Sequence, residues 1–421
     1  MLTFHVQGEA GYEDALAQLA RRGDADLERV EESVRAILAA VRDRGDEAIR
    51  ELTEKFEQRR QEHVRLPEAL WRAQAKEAPA EVREALAAAA ERIRRYHEHQ
   101  REPGFRYEEE GVELGQRVLP VKAAGVYAPG GKARYPSTVL MTAVPAAVAG
   151  VPRIVLATPR PTPEILAAAE VAGVTEVIDA GGAQAIGALA YGTASVGRVD
   201  KIVGPGNLYV ACAKRLVFGL VDIDSIAGPS EILVVADDAA DPEVVAADLL
   251  SQAEHDEDAY PLLVTLSRAQ AEAVDAAVAR QLADLPREAI ARQSVEDNGH
   301  CFVVEDRAEA ARVADALAAE HLNLSVEDPD AMLEGIGAVG AAFLGYHTPE
   351  AAGDYAAGPS HVLPTGGAAR FASPLGVYDF VVRTSLIRYS KEAIRAQADL
   401  LEGLARLEGL EAHARAVKAR R

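Results

Sequence analysis

Cysteine is nearly absent from this chain of 421 residues: there are two, Cys212 and Cys301. A secreted disulfide scaffold is thereby excluded, and a thiolate zinc site could draw on two ligands at most. Long apolar runs are missing as well, and no stretch approaches the roughly 20 apolar residues that span a bilayer. The start, MLTFHVQGEA, lacks a basic segment followed by an apolar one, so no signal peptide is expected and the expected location is cytoplasmic. Positive charge is in deficit, with 45 Lys and Arg against 66 Asp and Glu and a net charge of −21. A nucleic-acid partner is therefore not expected, because a phosphate backbone calls for clustered Lys and Arg. Neither is a membrane partner.

What is present is material for a large core: 49% of the residues are hydrophobic and 26% charged, the profile of a globular chain. The length exceeds one compact core and points to two domains or more. Residues 11–100 read as helices, with apolar residues at helical spacing in DLERVEESVRAILAAVRDRG (26–45) and new helices expected at Pro67 and Pro79. From about 107 to 131 the pattern turns to short β-like runs. It then alternates strand, glycine turn and helix to about residue 330, through RIVLAT, EVIDAGG, DKIVGPG, EILVVAD, PLLVTLS and CFVVED. That rhythm is the signature of parallel βαβ sheets covered by helices. So many elements would overfill one sheet, so two are expected. A Gly/Pro-rich loop stretch follows (353–380), and the tail (391–421) is amphipathic helix broken at Glu408-Gly409. Too short to fold alone, the tail must pack on something, plausibly a partner subunit.

Several places carry residues suited to chemistry. In DPEVVAADLLSQAEHDEDAY, Asp241 is a good N-cap and Pro242 suits the first helical turn. Gln252 and His255 there continue the apolar face of Val245 and Leu249. A polar pair on a buried stripe either satisfies itself in the core or points at a ligand such as a metal. In DALAAEHLNLSV, Glu320 and His321 sit where a helix gives way to a strand, and Leu322, Leu324 and Val326 alternate with polar residues as in a half-buried strand. A Glu-His pair there suits acid–base work or is a solvated junction. Asp354 and His361 lie in the glycine-studded loop, which either shapes a binding site or merely connects elements. The turns DAGGAQAIG and IVGPGNLYV offer free N–H groups at helix starts, short of a full dinucleotide fingerprint. His413, in the tail, says nothing by itself.

Taken together, VYAPGG with YPSTVLM, then GPGN, GPSE, LLSQAEH, AEHL, GPSHVLPTGG and EGLEAHARAV resemble the histidinol dehydrogenase family in order and spacing, from about residue 20 onward. Locally, AAEHL lacks the proline often found before the Glu-His pair, and Ser360 stands where Asn is common. The resemblance implies an α/β fold of two Rossmann-like parallel-sheet domains with a helical N-terminal segment and a helical C-terminal tail. The expected division is an arm at 1–21 and a larger domain from 22–121 and 232–373. An NAD-binding domain at 122–231 and a tail at 374–421 that crosses to the partner of a homodimer complete it. Gln252, His255, Asp354 and His413 match the family's ligands for one zinc per subunit, and Glu320 and His321 match its catalytic pair. Ser230, His361 and Glu408 match groups that, with the four zinc ligands and His321, hold the substrate; Tyr127, Gln184 and Asn207 match contacts to NAD.

The activity so implied is oxidation of L-histidinol through L-histidinal to L-histidine with NAD. His321 would serve as base, and Glu320 would activate the water that adds to the aldehyde. Neither cysteine reads as an activated thiol, since Cys212 falls within an expected helix and Cys301 opens an expected strand. A sister zinc and NAD dehydrogenase acting on another small polar alcohol stays open. So do a zinc hydrolase using Glu320 and a non-catalytic metal- or nucleotide-binding protein.

Overall fold

A computed structural model describes residues 1–23, 27–130, 135–226 and 228–421; Gly131 at the end of the VYAPGG run lies outside them. Its strands are β1 (Thr3–Val6), β2 (Phe105–Glu109), β3 (Val112–Pro120), β4 (Ala124–Tyr127), β5 (Ile154–Ala157), β6 (Glu176–Ile178) and β7 (Lys201–Val203). They continue with β8 (Asp222–Ile223), β9 (Glu231–Ala236), β10 (Tyr260–Thr265), β11 (His300–Val303), β12 (His321–Ser325), β13 (Ala341–Leu344) and β14 (Val381–Tyr389). Three sheets result: a parallel five-stranded one ordered β6-β5-β4-β7-β8, a parallel six-stranded one ordered β1-β11-β10-β9-β12-β13, and an antiparallel ribbon β14-β3-β2. The α/β class with two parallel sheets is as expected, and each sheet carries helices on both faces.

On the five-stranded sheet, one face is covered by Trp71, Leu86 and Ile93 together with helices Pro136–Ala149 and Pro163–Ala172. The other meets the stripe Val30, Val34, Ile37, Leu38 and Val41 of helix Glu28–Arg44 and the small-residue helices Gly182–Tyr191 and Leu208–Val217. Helices Pro242–Ala253, Arg268–Leu282 and Glu288–Asn298 cover one face of the six-stranded sheet. Tyr12–Leu19 and Arg307–Leu317 cover the other. Strands buried on both faces are continuous apolar runs, which is why EILVVA and IVLA have no alternation.

Three expectations are corrected here. Residues 1–21 are not wholly helical: Thr3–Val6 adds to the six-stranded sheet as its parallel edge, Phe4 opposite Cys301. The helices between 28 and 98 clothe the five-stranded sheet, with Val362 of the later loop joining the same core, so the unit holding β4–β8 is much larger than 122–231. An amphipathic stripe announces that a helix will be buried without naming the sheet that buries it. The strand His321–Ser325 is also buried throughout, not half-buried, because β9 and β13 flank it. Its polar faces are satisfied internally, Asn323 donating to Asp248 (2.9 Å) and Ser325 to Asn323 (3.0 Å).

Candidate functional site

Glu231 opens β9 and His321 opens β12, neighbouring strands, so the amino edge of the six-stranded sheet sets Glu320 and His321 beside Glu231. The Glu231 N–H donates to Oε2 of Glu320 (2.9 Å). Nδ1 of His321 donates to the Glu231 carbonyl (2.8 Å). A carbonyl only accepts, so the proton sits on Nδ1 and Nε2 keeps a lone pair. That Nε2 is buried and has no hydrogen-bond partner among the described residues; it stands 3.5 Å from Glu350 Oε1 and 3.9 Å from Asp354 Oδ1.

Around this pair the chain gathers five more side chains. Helix Pro242–Ala253, capped by the Asp241 carboxylate on the Glu243 N–H (2.9 Å), delivers Gln252 and, just beyond its end, His255. Helix Glu350–Tyr355 delivers Glu350 and Asp354. His361, from the glycine-rich loop, donates through Nδ1 to the Asp354 carbonyl (3.1 Å) and accepts from the Thr138 hydroxyl (3.2 Å). Thr138 belongs to a helix on the five-stranded sheet, so the loop ties the two sheets together at the site. Ser360 secures it, donating to the Met141 carbonyl (3.0 Å).

The electrostatics follow from burial. Burial, then the nearby Glu231, pushes the Glu320 carboxyl well above the usual range. Burial raises Glu350 and Asp354 as well, Glu350 further by the Asp354 charge. It holds His321 and His361 down at about 4 and lowers His255, so all three imidazoles are neutral at pH 7. Neutral imidazoles are bases and metal ligands. Donor atoms of His321, Glu350 and Asp354 lie within 4.8 Å of one another, a spacing that can hold a metal ion. Gln252 is fully buried, yet neither its amide oxygen nor its nitrogen has a hydrogen-bond partner among the described residues. A buried amide left unpaired costs about 1–3 kcal/mol, which makes Gln252 a candidate to hold a ligand beside Glu350, whose carboxyl burial raises and the Gln252 side chain draws down slightly.

A second place is a cavity of about 1020 Å³ at the carboxyl edge of the five-stranded sheet. Tyr127, Gln184 and Asn207 all line it, with Gly181, Gly182 and Thr158. The Tyr127 hydroxyl accepts from the Gly182 N–H (3.0 Å), and Asn207 caps helix Leu208–Val217 by accepting from Tyr209 and Val210 N–H. Gly204, at φ 117°, lets its turn lie against β4; a Cβ there would stand 2.2 Å from the Tyr127 carbonyl oxygen. The starts of helices Gly182–Tyr191 and Leu208–Val217 both border this space, a setting in which helix N-termini can receive an anionic group.

The structure thus brings together Gln252, His255, Glu320, His321, Asp354 and His361, with Ser230 adjoining Glu231, and it groups the three cofactor candidates elsewhere. Glu408 and His413 do not join either group: both are exposed on the tail and make no hydrogen bond or ion pair with the cluster. The sequence reading missed Glu350, although its i,i+4 spacing to Asp354 was the signal that both share a helix face. It also missed Glu231 and Thr138, although both lie inside the runs GPSE and YPSTVLM that carry the resemblance. Both cysteines are buried and their thiols pushed up by burial, Cys301 to about 12, so neither is an activated nucleophile.

The histidinol dehydrogenase family model matches residues 20–421. A histidinol dehydrogenase from Aquifex aeolicus is 53% identical over 97% of this chain and 96% of its own length. One from Pseudomonas aeruginosa is 52% identical over 93% and 91%. The crystal structure of histidinol dehydrogenase from Elizabethkingia anophelis superposes with a TM-score of 0.93 at 34% identity, over 100% of this chain and 98% of that one.

Proposed function

The chain belongs to the histidinol dehydrogenase family and is an oxidoreductase, and from that premise we propose that it converts L-histidinol through L-histidinal to L-histidine with zinc and NAD. The observation that carries the metal part is the orphaned amide of Gln252 beside neutral His255 and the Glu350–Asp354 pair. Gln252, His255 and Asp354 with His413 of the partner subunit supply two imidazoles and two oxygen donors, a fitting set for zinc. A zinc ion held by these groups would supply a positive charge able to bind the imidazole and amine of the substrate and to favour ionised carboxyl groups beside it. Ser230 and His361 line the same space, with Glu408 of the partner subunit closing it.

His321 takes the hydroxyl proton at Nε2, the atom left free by its bond to the Glu231 carbonyl. Tyr127, Gln184 and Asn207, which line the cavity of the five-stranded sheet, would hold NAD, which would supply the hydride acceptor for each oxidation. An aldehyde gives up hydride only after a nucleophile adds to it, and with both thiols buried and protonated that nucleophile is water. Glu320 activates it: a carboxylate whose pKa is raised by burial is a stronger base once ionised, and the Glu231 N–H holds its ionised oxygen.

Homodimerisation fits the exposed apolar stripe Leu400, Leu404 and Leu407 on the tail and the uncovered Val382 and Ile387 of β14, which leave a surface that a second copy can bury. No helix among the described residues is long and apolar enough to cross a membrane, and a biosynthetic role places the enzyme in the cytoplasm. The direct test is NADH formation from L-histidinol by the zinc-loaded protein. Two NADH per histidine, lost on chelation and restored by zinc, is the expected result. Turnover of another small polar alcohol with none of histidinol would replace this reading with the sister dehydrogenase.

A further inference from the structure

The side chain most enclosed by the acid–base pair belongs to neither of its members. Glu231 is fully buried, and every polar group it has is engaged. Its N–H holds the Glu320 carboxylate (2.9 Å) and its carbonyl fixes His321 (2.8 Å). Its Oε2 accepts from the Glu320 N–H (3.2 Å) and from Arg22 (2.5 Å), and its Oε1 from the Gly366 N–H (2.6 Å). The Arg22 side chain is 2% exposed, and its second terminal nitrogen donates to the Leu19 carbonyl (2.9 Å). The backbone around these partners is pressed together: a Cβ on Gly23 would stand 2.1 Å from the Gly366 oxygen, so both positions need glycine.

We infer that the buried Arg22–Glu231 ion pair is a positioning device for Glu320 and His321, drawing the segment after the first helix into the catalytic machinery; this rests on the acid–base roles proposed above. A buried carboxylate beside the Glu320 carboxyl needs a counter-charge, and removing one partner of such a pair leaves the other uncompensated. Arg22 is that counter-charge. With it in place, the Glu231 carboxylate is pinned at both oxygens, and the peptide groups on either side of its Cα are held in the orientation that aims N–H at Glu320 and C=O at His321. Without it, Glu231 turns away from the Glu320 N–H and the Gly366 N–H, and the tautomer and aim of His321 lose their anchor. Arg22 touches neither substrate nor cofactor in this scheme; it acts through Glu231.

The surroundings of Arg22 provide a specific test. A cavity of about 630 Å³, open to solvent and lined by Asp14, Gln18, Tyr260 and His300, reaches Arg22. In Arg22→Ala, a small planar cation can enter from that side and occupy the vacated place. The expected result is a kcat for histidinol oxidation lowered about 10- to 100-fold, with KM for histidinol and NAD within about threefold and zinc content unchanged, as loss of a group acting only on the chemical step requires. Guanidinium chloride at millimolar, non-denaturing concentration should recover a large part of kcat, and sodium chloride at equal ionic strength none. Arg22→Lys, which keeps the charge, should lie between the two. A fully active Arg22→Ala overturns the inference, as does a loss carried by KM or by zinc content. If Arg22→Ala does not fold, Arg22→Lys with wild-type melting temperature and wild-type kcat overturns it equally. Wild-type enzyme that oxidises no histidinol strikes the functional reading instead, so the two failures are distinct.

Discussion

In the five-stranded sheet, β4 leads to β5 and β6 on one side and the chain then returns to lay β7 on the other, so the connection reverses between β4 and β7. The 1020 Å³ cavity with its helix N-termini lies at the carboxyl edge of these strands, where open parallel sheets hold ligands. The six-stranded sheet repeats the plan: β9 leads to β10 and β11, and β12 returns to its other side. At that carboxyl edge, however, the protein has filled the place itself. Asp237, just after β9, accepts from the Tyr346 hydroxyl (2.9 and 3.0 Å) and from the Glu327 N–H (2.9 Å). The chemistry proposed for it lies at the opposite, amino edge, with Glu231, Glu320 and His321. Equivalent topology therefore offers a site without obliging the chain to use it; what decides is which edge is left with unsatisfied polar groups.

That contrast can be broken most forcefully at the amino edge. Glu320→Gln is expected to lower histidinol turnover by about 10²- to 10⁴-fold with NAD binding retained, as measured by steady-state kinetics beside a fluorescence titration with NADH. Unchanged kcat would remove Glu320 from the chemistry. The tail comes next. Leu404→Lys places a charge in the stripe Leu400–Leu404–Leu407, and light scattering should show the proposed dimer shifted to monomer with activity lost alongside. An active monomer would mean that Glu408 and His413 are not needed from a neighbour.

Smaller effects sharpen the comparison. Tyr127→Phe removes the acceptor for the Gly182 N–H in the cofactor cavity. One such bond is worth about 1 kcal/mol, so KM for NAD should rise about fivefold while kcat holds. A KM shift for histidinol instead would place the cavity's role elsewhere. Smallest of all, Tyr346→Phe at the filled carboxyl edge should lower the melting temperature by a few degrees at most, from loss of about 1 kcal/mol, and leave both KM values and kcat alone. Altered NAD affinity there would show that the second edge is not merely structural.

The sequence by itself determined the elements and most of the chemistry-bearing positions. The strand–glycine–helix rhythm sets parallel sheets because each run is local and its periodicity unambiguous, as in IVLA and EILVVA. Gln252 and His255 stood out because three-residue spacing on a capped helix is a local fact, and family likeness supplied the roles of Glu320, His321 and Asp354. The tertiary structure alone decided which sheet the helices of residues 28–98 would cover, that Thr3–Val6 would become an edge strand, and that Arg22, Glu231 and Gly366 would meet. Arg22 and Glu231 are 209 residues apart. No periodicity reaches across such a separation; only the packing of helix Tyr12–Leu19 on the six-stranded sheet brings a buried charge to its counter-charge.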